Sequence, residues 1–251
     1  MMFDFGPTTV SGAALTNSPY HSLGGSTSDN TWNKVQLADV GSGLLFSDNS
    51  AATGVTFNLG VSSTTTIGLG TQPSNSSGLG GATPLPGGIY ESPSVGRDGI
   101  FAPSTTTRFV GFQLGGLSPG TYDIYISSRN TNTSAAHSQF GYVGKSAAAG
   151  DFDVSTYSTG LALIPVIPTG EDGGQSAWAQ DVNYTKYTLT LAAGEFLNIA
   201  ANGGNGIPGA EGSEARGFLN SVQIMAVPEP SAALLSSLAM GLLVIRRRRS
   251  V

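Results

Sequence analysis

Gly116-Leu117-Ser118-Pro119-Gly120 matches G-x-S-x-G, the spacing that holds a serine nucleophile on a sharp turn. That turn belongs between a strand and a helix. Here the alternating run Thr121-Tyr122-Asp123-Ile124-Tyr125-Ile126 follows, and Ser-Pro-Gly is ordinary turn chemistry, so no nucleophile elbow is expected. Gly144-Lys145-Ser146 has the ending of a phosphate-binding loop, but the earlier glycine that loop requires falls at Gln139. The segment is therefore read as an ordinary loop. The two histidines, His21 and His137, have no spacing that suggests a hydrolase triad. His21 follows Pro19-Tyr20 and is expected in a surface loop. Catalytic residues: none are assigned.

Binding chemistry has more candidates. Trp32 and Trp178 are the largest rings that could stack on a sugar, and both are also natural packing residues. Arg129, Asn130 and Asn132 come just after a strand pattern, where ligand contacts are often made. Acids cluster at Asp151/Asp153 and Glu171/Asp172, and Asp48 stands beside Asn49. Oxygen-rich loops of this kind leave room for a structural Ca²⁺ without assigning its ligands, and no EF-hand spacing is present. The same acids would serve a glycosidase only if folding set two carboxylates about 5–9 Å apart. No cofactor is expected. The chain has no cysteine, which removes disulfides, thiolate catalysis and Cys-based zinc sites.

These residues must be positioned by strands. Val55–Leu59, Phe109–Leu114, Thr121–Ile126, Tyr184–Leu191, Glu195–Ala200 and Gly217–Met225 alternate with period two, and Phe3-Asp4-Phe5 with Gly6-Pro7 reads as a first strand and turn. The runs on either side of Gly115–Gly120 are expected to pair as a hairpin. No amphipathic helix precedes residue 230. Gly68–Gly88, Thr169–Gln175 and Ala201–Gly212 read as loops. With 36 glycines and 11% charged residues in 251, the composition suits short strands and tight turns, and the expected fold is an all-β sandwich, jelly-roll-like. Outside its last 24 residues the chain carries seven basic and fifteen acidic groups, a net of −8, which repels polyanions; no nucleic-acid partner is expected.

The C-terminal end is organised differently. Pro228-Glu229-Pro230 is followed by the uncharged run Ala232–Ile245 and then by Arg246, Arg247, Arg248 and Arg249. Prolines keep the first part extended, and the Leu- and Ala-rich run favours helix. Fourteen helical residues reach about 21 Å, short of a hydrocarbon core of about 30 Å, but arginines can extend to the cytoplasmic headgroups while Pro230 and Ser231 occupy the opposite interface. The expectation is a short C-terminal transmembrane helix with the C-terminus in the cytoplasm. This order of elements resembles the PEP-CTERM sorting signal of exosortase substrates. The resemblance implies an exported protein of the cell envelope or extracellular space, and recognition of Pro228-Glu229-Pro230 by a membrane-embedded exosortase-type transpeptidase. It also implies a secretion leader. The first basic residue is Lys34 and no apolar run of signal-peptide length precedes it, so the leader is expected either upstream of Met1 or already trimmed away.

The organisation expected is an extracytoplasmic domain at 1–226 and a sorting tail at 227–251. The segment GLSPGTYDIYI and the last strand before the tail are also similar to galactose-binding-like and other carbohydrate-binding jelly rolls, a likeness that transfers no binding residues. The functional expectation is a non-enzymatic surface or matrix protein, its partners the bilayer, the exosortase and extracellular polysaccharide. The alternatives are a carbohydrate-binding module within an exopolysaccharide and a secreted polysaccharide-active enzyme.

Overall fold

A computed structural model describes residues 1–7, 16–73, 75–78 (backbone), 89, 95–104, 106, 108–130, 135–164, 177–204 and 215–228. They form β1 (Met2–Phe5), a one-turn helix α1 (Pro19–Ser22), β2 (Asn33–Val35), β3 (Thr56–Ser62), β4 (Thr66–Leu69), β5 (Asn75–Gly78), β6 (Asp98–Phe101), β7 (Phe109–Gly115), β8 (Gly120–Ser127), β9 (His137–Ser146), β10 (Phe152–Asp153), β11 (Ser158–Ile164), β12 (Thr185–Leu191), β13 (Phe196–Gly203), β14 (Phe218–Leu219) and β15 (Ser221–Ala226).

Period-two alternation makes the architecture. A five-stranded sheet, β12-β8-β15-β1-β2, faces a seven-stranded sheet, β10-β4-β3-β7-β13-β9-β11. Phe3 and Phe5 from the first interleave with Phe57 and Phe112 from the second, with ring centroids of Phe57 and Phe112 4.9 Å apart and of Phe3 and Phe57 5.2 Å apart. Ile124, Ile126, Val222 and Ile224 complete one wall of the core; Leu59, Val110, Leu114, Leu197 and Ile199 complete the other. The protein is an all-β sandwich, as its alternating runs require. A small third sheet, β14-β6-β5, carries the stacked pair Phe101–Phe218 at 5.0 Å.

The hairpin expected around Gly115–Gly120 does not form. β7 pairs with β3 and β13, whereas β8 pairs with β12 and β15 in the facing sheet. The connection is an arch across the sandwich. Leu117 at its tip is buried in the core, and Gly116, at φ +77°, lies so close to the Gly54 carbonyl that any Cβ would collide with it. The Tyr122 hydroxyl donates to the Ser118 carbonyl oxygen at 2.7 Å and ties the arch to the strand it feeds. Alternation says which side chains face the core; it does not say which strand lies alongside. β12 and β13 likewise belong to different sheets.

Other expectations are revised. Gly144-Lys145-Ser146 is strand, the end of β9. Part of the expected Gly68–Gly88 loop is strand, in β4 and β5, and Ala201–Gly203 completes β13. The run Gly217–Met225 divides at Asn220 into β14 and β15, which join different sheets. His21 sits on the α1 turn, half-buried, with its ring bonded to Ser18 Oγ at 2.6 Å and to the Asp29 carbonyl at 2.7 Å. Among the described residues no helix is long and apolar enough to cross a membrane. The expected helix 232–245, Glu229, Pro230 and Arg246–Arg249 lie outside the described residues, as do Asn132, 169–175 and 205–212.

Candidate functional site

On β8, Tyr122, Ile124 and Ile126 face the core, so Asp123 and Tyr125 must face the other way. Met225 of β15 lies opposite Asp123, and Gln223 lies opposite Tyr125. Gln223 Oε1 accepts the Tyr20 backbone N–H at 3.0 Å, which pins α1 over this outer face. A groove of about 430 Å³ results, lined by Tyr20, Asp29, Ser47, Asp123, Tyr125, Met225 and the departing segment Ala226–Pro228. Its volume is within the range of small-ligand sites.

Tyr20 is its half-buried aromatic wall, and Tyr125, 5% exposed, lies beneath it. Tyr20 meets Tyr125 edge to face at 6.2 Å, and the series continues inward through Tyr184 at 6.1 Å and Trp178 at 6.5 Å. Gly25 lies flat against Tyr20: a Cβ there would stand 2.5–2.6 Å from three ring carbons. Burial pushes the Tyr20 and Tyr125 phenols above their ordinary values, so both stay protonated at neutral pH.

Each tyrosine has a carboxylate beside it. Asp29 accepts from the Tyr20 hydroxyl at 3.0 Å and from Ser47 Oγ at 2.8 Å. Asp123 takes the Lys186 ammonium at 2.8 Å and the Thr188 hydroxyl at 2.6 Å. Burial alone would raise Asp123; the bonds to Lys186 and Thr188 and the lysine charge outweigh it and hold the carboxyl below its ordinary range. The same Lys186 ammonium lies 5.3 Å from the Tyr125 ring centroid.

Both tryptophans named from sequence belong to the apolar cluster behind this groove, with Tyr125, Tyr184, Met2 and Met225. Trp178 is buried and its indole N–H donates to Asn17 Oδ1 at 2.9 Å. Trp32 is half-buried, and its indole nitrogen has no hydrogen-bond partner among the described residues. Neither lines the groove. Arg129 is buried past the end of β8, its backbone N–H bonded to Asn220 Oδ1; the Asn130 N–H donates to His137 Nε2 at 3.1 Å. The structure thus brings the tryptophans together and leaves Arg129 and Asn130 out of the groove. Tyr20, Asp29, Asp123 and Tyr125 were not singled out from sequence, although Asp123 and Tyr125 on the non-core parity of a strand were a readable sign.

The remaining acids have local roles. Asp48 accepts from Ser50 N and Oγ, Asp151 from Leu69 N and Asp153 from Ser155 N, at 2.6–3.0 Å. Glu171 and Asp172 lie outside the described residues. No three His, Asp or Glu side chains converge among the described residues. One further acid pair is visible only in three dimensions. Asp4 and Asp98 are buried near each other, and burial, then the Asp98 charge, push the Asp4 carboxyl up to about 8. Neither lines the groove.

No protein-family model matches the chain, and no curated protein matches it. Among solved structures it is similar at low TM-score to three carbohydrate-active or carbohydrate-binding proteins. A family GH115 4-O-methyl-α-glucuronidase with specificity for decorated arabinogalactans aligns over 53% of this chain and 15% of its own, at 9% identity and TM-score 0.31. The epithelial adhesin 6 A domain of Candida glabrata, in complex with Galβ1-3GlcNAc, aligns over 49% and 46%, at 14% identity and TM-score 0.24. A CBM61 domain in complex with β-1,4-galactotriose aligns over 55% and 80%, at 11% identity and TM-score 0.24. The chain therefore spans well under two thirds of the glucuronidase and of the adhesin domain.

Proposed function

We propose that the protein binds carbohydrate through the Tyr20–Tyr125 groove, as a non-catalytic module of the cell surface or extracellular matrix. One observation carries the reading: the half-buried Tyr20 ring, backed by the buried Tyr125, with an ordered carboxylate beside each, in a groove open to solvent. Sugar recognition needs this combination, since the C–H face of a pyranose packs on a ring while its hydroxyls need fixed acceptors. Asp29 and Asp123 are each held by side-chain donors, so their free lone pairs are pre-oriented at little further entropic cost.

The non-catalytic part of this reading rests on the sequence, which offers no nucleophile elbow, triad spacing or phosphate-binding loop. Export and sorting rest on the tail sequence alone. The last described residues, Val227 and Pro228, leave β15 at the rim of the groove, and Pro228 opens the Pro-Glu-Pro tripeptide. The tail would hold the sandwich on the outer face of the cytoplasmic membrane until an exosortase acts on it, and the groove would then engage extracellular polysaccharide.

A glycan array probed with the purified full chain tests the binding claim. A set of related oligosaccharides should bind, and Tyr20→Ala should abolish the signal while the melting temperature stays near that of the parent. Array signal that survives Tyr20→Ala would remove the groove from the account.

A further inference from the structure

Resting on the glycan reading of this groove, we propose that its preferred ligand class is a sugar polymer bearing protonated amines, such as a partly N-deacetylated hexosamine chain. The protein itself displays the recognition chemistry. Lys186 supplies an ammonium that lies 5.3 Å from the Tyr125 ring centroid and bonds Asp123 at 2.8 Å. Ring face and carboxylate together are what a desolvated ammonium seeks.

The opposite wall has a ring and a carboxylate with, among the described residues, no lysine or arginine paired to the carboxylate. Tyr20 and Asp29 are joined at 3.0 Å, and both line the groove. Asp29 enters neither the Lys145–Glu195 nor the Lys186–Asp123 ion pair. No Lys, Arg or His lines the groove, whereas two carboxylates do. The Asp29 charge is positioned by Ser47 Oγ at 2.8 Å as well as by Tyr20, so a ligand ammonium meets an acceptor already in place. Acidic sugars meet the reverse: with Asp123 already paired to Lys186, their carboxylates would approach the Asp29 carboxylate on a body of net charge −8.

Calorimetric titration of the full chain with three tetrasaccharides tests this: the β-1,4-glucosamine tetramer, its fully N-acetylated form, and tetragalacturonate. The glucosamine tetramer should bind about tenfold tighter than the N-acetylated one at low ionic strength, with the advantage shrinking in high salt. Tetragalacturonate should bind weakest. Asp29→Asn should bring the amine and N-acetyl forms to similar affinity, whereas Asp153→Asn, at a distant exposed acid, should leave the ratio unchanged. Equal affinity of the two hexosamine tetramers for the parent protein would overturn this inference and leave glycan binding standing. Preference for the uronate would also overturn it. Binding of none of the three would overturn it, and array binding to other sugars then decides whether the wider reading survives.

Discussion

The Tyr20 hydroxyl donates to Asp29 Oδ2 at 3.0 Å, and that one bond joins the aromatic and acidic sides of the groove. The phenol also accepts the Ser26 N–H at 3.2 Å, so the ring is held from two sides of the segment after α1. Tyr20→Phe keeps the ring and removes both bonds. Glycan affinity should fall about three- to tenfold, the worth of one ordered hydrogen bond, measured by calorimetry against the parent.

Gly25 permits the closeness of that segment to Tyr20. Its Cβ, if present, would press on the ring at 2.5–2.6 Å, so Gly25→Ala should displace Tyr20 toward solvent. Binding should weaken strongly, because the Tyr20–Tyr125 edge contact at 6.2 Å is lost, while the sheets stay intact. Near-ultraviolet circular dichroism reports the tyrosine change, and far-ultraviolet dichroism should be unaltered.

Asp4 makes stability depend on pH. Its folded carboxyl is pushed up to about 8 from an ordinary 3.8, so the folded state keeps a proton that the unfolded chain releases. The stability this supplies is complete below about pH 4 and declines by about 1.4 kcal/mol per pH unit as pH rises toward 8. Asp4→Asn should flatten that decline and raise the melting temperature at pH 8 more than at pH 4. Asp4 Oδ1 has no partner among the described residues, so the amide's cost should be small.

On the outer face of the seven-stranded sheet, Gln113 Nε2 donates to Asn198 Oδ1 at 2.8 Å and to the Gly150 carbonyl at 3.1 Å, and Gln113 Oε1 accepts the Gly150 N–H at 3.0 Å. Asn198 Nδ2 donates to the Tyr157 hydroxyl at 2.7 Å. Gln113→Leu leaves the buried Asn198 Oδ1 without its Gln113 donor, while the exposed Gly150 backbone can turn to water. It should cost about 1–3 kcal/mol in urea denaturation.

The tail is tested in cells. Pro228→Ala with Glu229→Ala should block processing in a host with an exosortase and leave the body folded; Arg246–Arg249→Ser should impair topology or retention. Fractionation and gel mobility read both. Unchanged mobility and location of the first variant would count against recognition of this tripeptide.

The sandwich was legible because alternation survives folding: Phe57, Leu59, Val110, Phe112, Ile124 and Ile126 are core residues on the parity the sequence shows. Strand partnership was not legible. The pattern around Gly115–Gly120 fits a hairpin or an arch equally, and only Leu117, an apolar residue at a loop tip, marks a segment that plugs the core. The groove was harder still. Asp29 and Asp123 stand 94 positions apart in sequence, and α1 reaches the sheet through Gln223, 203 residues from Tyr20. The tryptophans carry the largest rings in the sequence, yet they pack in the apolar cluster behind the groove, where their area is best buried.

The most direct measurement is two-dimensional NMR of the full chain titrated with the oligosaccharide that gives the strongest array signal. The account predicts perturbations centred on Tyr20, Asp29, Asp123, Tyr125 and Met225, saturating with the calorimetric affinity. Perturbations centred on the outer face of the seven-stranded sheet, around Gln113, Asn198 and Tyr142, would contradict it.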